Sequence, residues 1–102
     1  MVARAVADLI FEWDAGKARA NLRKHRVSFA EAVTVFADPL ASIHDDPDHS
    51  TPEDPRELIV GHSTSGRFLI VSFTERANSV RIISARRGTR RERQDYEAYS
   101  KQ

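Results

Sequence analysis

The apolar positions of the chain change period twice, and the changes mark out its elements. Phe11 and Trp13 make a short β-like opening ahead of Asp14, whose carboxylate suits a helix N-cap. Residues 17–25 read as a basic helix, with Ala18 and Leu22 facing inward and Arg19, Arg23 and Arg26 outward. A second helix starts at Ser28-Phe29-Ala30-Glu31, a capping box in which the serine oxygen and the glutamate each satisfy an orphan backbone amide. Phe29, Ala32, Val33 and Phe36 then recur at i, i+3, i+4 and i+7, one stripe at helical spacing. Val27 precedes the cap as a staple, and Asp38-Pro39 stops the helix because proline cannot continue the hydrogen-bond ladder.

Beyond residue 40 the pattern turns to β-branched and aromatic runs. Residues 58–62, 68–74 and 80–85 read as strands separated by turns at 63–66 and 77–79, with a weaker candidate at 40–45. Both faces of 68–73 are apolar, which predicts a central strand. Thr89-Arg90-Arg91-Glu92 is a second capping box and opens an amphipathic helix through Tyr96 and Tyr99. The expected order is β-α-α-β-β-β-β-α. It describes an α+β domain in which two N-terminal helices and a C-terminal helix pack on an antiparallel sheet. A chain of 102 residues supports one such domain.

Composition narrows the chemistry. There is no cysteine, which removes disulfides, thiol nucleophiles and Cys-ligated zinc, and 30% of residues are charged. No apolar run reaches the roughly 20 residues of a membrane-spanning helix, and the opening apolar stretch is short for a secretory signal. The expected location is the cytoplasm. The net charge of +1 hides a segregation: residues 1–55 carry six Lys/Arg against ten Asp/Glu, and residues 56–102 carry ten against five. Residues 38–55 hold six acids and no Lys or Arg, whereas 76–93 hold seven arginines and one acid, Glu92. Thirteen of the sixteen bases are arginine, whose planar fork matches phosphate or carboxylate.

Three kinds of chemistry are weighed against that charge. His44-Asp45-Asp46-Pro47-Asp48-His49 contains good ligands for zinc or manganese. Consecutive residues on a proline-broken loop rarely converge on one ion, however, so a solvated acidic loop is the stronger reading and no cofactor is expected. Ser63, Ser65 and Ser72 lack a nucleophile elbow, and Gly16, Gly61, Gly66 and Gly88 form no phosphate-cradling loop. The arginines remain. Arg81 projects opposite Val80, Ile82 and Ser84, Arg86 and Arg87 end that strand, Arg76 closes the preceding one, and Arg56 and Arg67 precede two others. Cations at strand ends, with Lys24 and His25 on a helix alongside, suit RNA cleavage. There the 2′-hydroxyl is the nucleophile, and the protein supplies positioning, charge and proton transfer. His25 is the first candidate for proton transfer, with Glu57, Glu75 and His62 behind it. Trp13 is a base-stacking candidate whose competing reading is core packing.

These residues also fall into an ordered series. It runs through Phe-Glu-Trp-Asp at 11–14, Lys17, Asn21-Leu22-Arg23-Lys24-His25, Val27-Ser28-Phe29, Glu31-Ala32 and Phe36-Ala37-Asp38-Pro39. It continues through Asp45-Asp46-Pro47-Asp48-His49-Ser50, Arg56, Gly61, the run from Arg81 to Arg87, Thr89-Arg90-Arg91-Glu92-Arg93 and Tyr96-Glu97. The series resembles the BrnT family of type II toxins over about residues 11–97, which leaves 1–10 as an N-terminal extension. The resemblance implies a RelE-like fold and ribonuclease activity that halts translation. It also implies neutralisation by a BrnA-type ribbon-helix-helix antitoxin, in a complex expected to be a heterotetramer that meets DNA only through the antitoxin. The matching basic residues are Lys24, Arg56, Arg81 and Arg86, with His25 and Trp13 as companions. Family members usually carry glycine where this chain has Arg26, a position suited to a left-handed helix cap.

The expected function is therefore a metal-independent endoribonuclease toxin. Lys24, His25, Arg56, Arg81 and Arg86 form its catalytic set, Trp13, Arg76 and Arg87 bind RNA, and Glu57 is a further proton-transfer candidate. The antitoxin is expected to cover the arginine groove. The rivals are a non-catalytic module that binds RNA or antitoxin, and a metal-dependent hydrolase built on the acidic loop.

Overall fold

The computed structural model describes residues 2–5 and 9–100. A six-stranded mixed sheet runs in the order β1-β2-β6-β5-β4-β3. Its strands are β1 (Val2–Ala5), β2 (Leu9–Glu12), β3 (Ser42–Asp45), β4 (Glu57–His62), β5 (Phe68–Arg76) and β6 (Ser79–Arg87). The helices are α1 (Ala15–His25), α2 (Phe29–Thr34), which continues into a 3₁₀ turn at Val35–Ala37, and α3 (Arg90–Ser100). The expected meander is present as β4-β5-β6, with β3 on its edge.

Two expectations about the sheet are corrected. It is not wholly antiparallel: β2 lies parallel to β6, pairing Phe11 with Val80 and Glu12 with Arg81. Two helices and three strands intervene between them, a connection long enough to return the chain in the same direction. Residues before 11 also take part in the sheet, because Leu9 and Ile10 belong to β2 and β1 pairs antiparallel with it.

One face of the sheet carries α1 and α2. Phe11, Val27, Phe29, Ala32, Val35, Leu69, Val71, Phe73 and Ile82 are buried between them. Phe36 stacks edge-on to Phe11 (4.9 Å) and to Phe73 (5.1 Å). β5 is buried on both faces from Phe68 to Thr74, as its composition requires of a central strand. On the second face Tyr96 of α3 packs on Phe68 (5.2 Å) and the loop before β4 is bonded to Thr74 through the Pro55 carbonyl (2.7 Å), with a shallow cleft between them.

Caps explain where the helices begin. Asp14 accepts from Lys17 N (2.9 Å), Ser28 accepts from Glu31 N (3.0 Å), and Thr89 and Glu92 exchange both bonds of a capping box. The Ser28 box is only half formed. The Glu31 carboxylate turns instead to Arg67, Ser63 and Ser65 and pins the β4–β5 turn to α2.

The inner face of α1 differs from its apolar pattern. Leu22 is 48% exposed, and the buried residue is Asn21 at 7%. Its amide donates to the carbonyls of Val27 (2.9 Å) and Ala85 (2.8 Å), and its oxygen accepts from Ala85 N (3.1 Å). β2 accompanies β6 only as far as Arg81. Beyond that point Asn21 supplies the hydrogen bonds that a neighbouring strand would have made. The helix then ends on Arg26, which sits in the left-handed region at φ 59°, ψ 31° and donates its N–H to Leu22 O.

Two substitutions at this helix end should shift stability in opposite directions. Asn21→Leu leaves three buried backbone groups unpaired at about 1–3 kcal/mol each, so urea unfolding should show a loss of at least about 3 kcal/mol. Arg26→Gly removes a left-handed cost of about 1–2 kcal/mol against about 0.5–1 kcal/mol of added chain freedom. It should raise stability by about 0.5–1 kcal/mol, and a drop would mean that the arginine side chain itself supports the fold.

Candidate functional site: an arginine and histidine cleft

The second face of the sheet holds a cleft of about 240 Å³ lined by His25, Asp46, His49, Arg56, Leu58, Ile70, Ser72, Ile83, Ser84, Ala85 and Arg86. Its groups come from three separate stretches. His25 arrives on the last turn of α1, which Asn21 ties to β6. Arg86 arrives on β6 after an irregularity: Ser72 pairs with Ser84 and Phe73 with Ile82, so Ile83 has no partner. This bulge shifts the alternation by one residue. Ser84 therefore shares the cleft with Arg86 rather than the buried face with Val80 and Ile82, which corrects the simple alternation.

Arg56 comes from the segment expected to be a solvated acidic loop, and that segment is folded back on itself. The Ser50 hydroxyl donates to the Asp46 carbonyl (2.7 Å) and accepts from Arg56 N (2.8 Å). Asp46 N donates to Arg56 O (3.0 Å), and Thr74 Oγ1 donates to Pro55 O (2.7 Å). The same fold delivers a pair that pattern reading valued only as metal ligands: His49 Nδ1 lies 3.0–3.1 Å from both oxygens of Asp46. Their i, i+3 spacing across Pro47 was the available signal. His44 bonds Ser42 instead (3.0 Å). Among the described residues no group of three His, Asp or Glu side chains is placed to hold a metal.

Each cleft arginine carries its own carboxylate. Arg86 makes a two-pronged contact with Glu92 at the start of α3, 2.8 Å in each arm. Arg56 Nη2 donates to Asp54 (3.2 Å), while its Nε is buried without a hydrogen-bond partner. A buried donor in that state is costly, so the side chain gains by meeting a further acceptor.

The other expected site residues lie elsewhere. Arg81 faces Glu12 across the β2–β6 pair (3.7 Å). It sits opposite Thr74, four residues from the Ile70 that pairs with Arg86, or about 13 Å along the strand. Arg76, six residues from Ile70, ends β5 about 20 Å away. Lys24 is exposed on the turn before His25 and lines no part of the cleft. Arg87 lines a different cleft beyond the strand end. Trp13 is buried at 6% with its ring edge-on to Phe29 (6.1 Å), so it is a core residue and offers no face for stacking a base. Glu57 shares the helix-covered face with Ile59, opposite Leu58 and the cleft. Burial, Glu75 and Asp45 all push its pKa up.

Three carboxyls, Glu31, Asp38 and Glu92, hold the frame around the cleft. The hydrogen bond from Arg67 is the main cause that brings Glu31 to about 2, and that from Arg86 brings Glu92 to about 2, against an ordinary 4.5. Burial alone would raise Asp38, but N–H bonds from His62 and Leu40 bring it below its usual value. Tyr96 bonds Leu40 O (3.0 Å) and reaches Asp38 (3.4 Å), which docks α3.

Lowered carboxyl pKa values mean that stability is fully present above about 4.5 and is lost as pH falls toward 2. Glu57, with its raised pKa, contributes in the opposite sense. The urea midpoint should fall steeply below pH 4.5, and Arg67→Gln should flatten that fall. An unchanged slope in the variant would show that the Glu31 contact does not control acid stability.

Residues 13–92 match the family described as the ribonuclease toxin, BrnT, of type II toxin-antitoxin systems. The fold is similar to the 1.1 Å crystal structure of the Brucella abortus ribonuclease toxin, BrnT. The TM-score is 0.59, with 22% identity, over 78% of this chain and 96% of that one. No curated protein matches the chain. The family match takes in α1, α2, the acidic loop, the meander and the first turn of α3, and with them every wall of the cleft, so the chain belongs to the BrnT family of ribonuclease toxins of type II toxin-antitoxin systems.

Proposed function

We propose that the chain is a metal-independent endoribonuclease toxin that cleaves RNA in the cleft between α1, the folded acidic loop and β6. The observation that carries this reading is the convergence of His25, Arg56 and Arg86 from three parts of the sequence, with the His49–Asp46 pair beside them. Arg56 and Arg86 grip the scissile phosphate. Phosphate oxygens displace or share the Asp54 and Glu92 contacts, and the buried Arg56 Nε finds its acceptor. One imidazole takes the proton of the 2′-hydroxyl as its oxygen bonds to phosphorus. The other gives a proton to the 5′-oxygen as its bond to phosphorus breaks. Asp46 orients the His49 ring for either step. Lys24, exposed beside His25, adds positive charge at the rim. Arg81 and Glu57 take no part in the bond exchange.

Membership of a toxin-antitoxin family brings an antitoxin partner. We assign that role to a BrnA-like ribbon-helix-helix protein in a heterotetramer that contacts DNA through the antitoxin, and place the toxin in the cytoplasm. An apolar groove of about 370 Å³ between α3 and the sheet shares Leu58, Ile70 and Arg86 with the cleft. An antitoxin segment seated there covers Arg86 and blocks RNA entry. Among the described residues no helix is long and apolar enough to cross a membrane.

RNA degradation by purified protein in excess chelator tests the reading. Arg56→Ala and Arg86→Ala should each lower turnover by about 100-fold or more, the usual cost of removing one donor aimed at developing charge. His25→Ala and His49→Ala should each remove one limb of the pH–rate profile. Full activity in both arginine variants would move the site elsewhere, and a strict metal requirement would return the acidic loop to consideration. Binding without cleavage in the wild type would favour the non-catalytic module, for which the carboxylate-tied arginines are the supporting observation.

A further inference from the structure

A second basic cleft lies past the end of β6. It is about 270 Å³ in volume, lined by Arg67, Arg87, Arg90 and Arg93 together with Gly66 and Gly88, and it has no carboxylate among its lining residues. Two of the four cations are committed. Arg67 is held by Glu31 and by the carbonyl of Arg26, and Arg93 Nε donates to Glu97 (3.1 Å). Arg87 and Arg90 are exposed, and among the described residues neither meets a carboxylate within ion-pair distance.

The arrangement works against the fold. α3 opens with Arg90, Arg91 and Arg93, and its only acid in the first turn, Glu92, is spent on Arg86 and the Thr89 cap. Cations at a helix N-terminus oppose the macrodipole, and four guanidinium groups around one cleft repel one another. Sequences tend to break local rules of this kind where a function requires it. All four cations are arginines, whose forked donors fit phosphate oxygens better than a point charge does. Position names the ligand. Arg86 and Arg87 are consecutive residues at the end of β6 that point to opposite faces of the sheet, one toward each cleft, so a strand leaving the first cleft past Arg86 reaches the second by turning around the strand end at Gly88.

We propose that Arg87 and Arg90 form a phosphate subsite that holds the RNA backbone next to the cleavage cleft. The subsite extends the grip on a long strand without touching the reacting phosphate. This rests on the reading that the first cleft cleaves RNA, and the experiment separates the two. Binding of a 12-nucleotide 2′-O-methyl RNA and of a 2′-O-methyl dinucleotide is measured across a salt series, for wild type and for the double variant Arg87→Gln/Arg90→Gln. Cleavage of unmodified RNA by the wild type is followed in parallel. The double variant should lose most of the affinity advantage of the 12-mer over the dinucleotide. Its salt slope on the 12-mer should fall by roughly 1.4, at about 0.7 per single-strand phosphate contact. It should melt no lower than wild type, since it removes cations from the positive end of a helix.

An unaltered 12-mer advantage and slope, with wild type still cleaving, overturns the subsite and leaves the cleavage cleft standing. Equal loss on both oligonucleotides overturns it too, because the variant has then disturbed the first cleft. Loss of antitoxin affinity with RNA binding intact makes the patch a protein contact and also overturns it. Wild type that neither binds nor cleaves removes the underlying reading instead.

Discussion

The cleft depends on one side chain acting as a piece of sheet. β6 loses its β2 neighbour after Arg81, and an edge left there would expose backbone groups that must find partners. Asn21 provides both a donor and an acceptor to Ala85, and it spends its second amide hydrogen on Val27. The helix end and the strand end are thereby fixed in one frame, so His25 and Arg86 face the same space. A leucine at position 21 would fill the volume and continue the apolar pattern, yet it would leave the helix free to slide along β6. The polar choice gives up some burial energy to fix a register, and the site needs that register.

The same logic runs through the charges. Three side chains of the cleft are each held by a carboxylate: Glu92 at the start of α3 holds Arg86, while Asp54 and Asp46 of the acidic loop hold Arg56 and His49. An isolated guanidinium on an open sheet would keep its rotamer freedom and lose it on meeting the substrate. A tethered one has already given that freedom up, so phosphate has only to out-compete or share one carboxylate. Half-exposed ion pairs of this type are worth little to stability, which makes them suitable as holders. Because Glu92 also caps α3, exchange of the Arg86 partner bears directly on how that helix starts.

Much of this fold was legible in the chain. Ser28 and Thr89 announce their helices because a cap is a local event, and 58–62, 68–74 and 80–85 announce strands because a sheet face imposes alternation. The elements that build the site were harder to read, and each for a physical reason. The bulge at Ile83 depends on which residue of β5 it faces, so no alternation within β6 can reveal that Ser84 changes sides. Asn21 looks like an outward polar residue until the missing strand beside Ala85 is known. The parallel β2–β6 pair is a long-range choice with no local signature. The acidic loop read as solvated because its ligand is its own backbone, through Ser50. Arg81, Arg76 and Trp13 match a basic or aromatic pattern but answer to Glu12, a hairpin end and the core. A tally of arginines sees the charge and misses its position along the strand.

The strands themselves keep some of their charged side chains on separate faces of the sheet. Asp45, Glu57 and Glu75 gather on the helix-covered side of β3, β4 and β5, close enough to raise the Glu57 pKa. Arg56 and Arg86 open onto the other side. Between them lies the apolar sheet core of Ile59, Val71 and Phe73, a low-dielectric layer that keeps the two sets from neutralising one another. Moving the three acids to the cleft side would leave composition and net charge unchanged and set three more carboxylates on the face of Arg56 and Arg86. The pairing register of the sheet decides the matter, because it determines which way each carboxylate points.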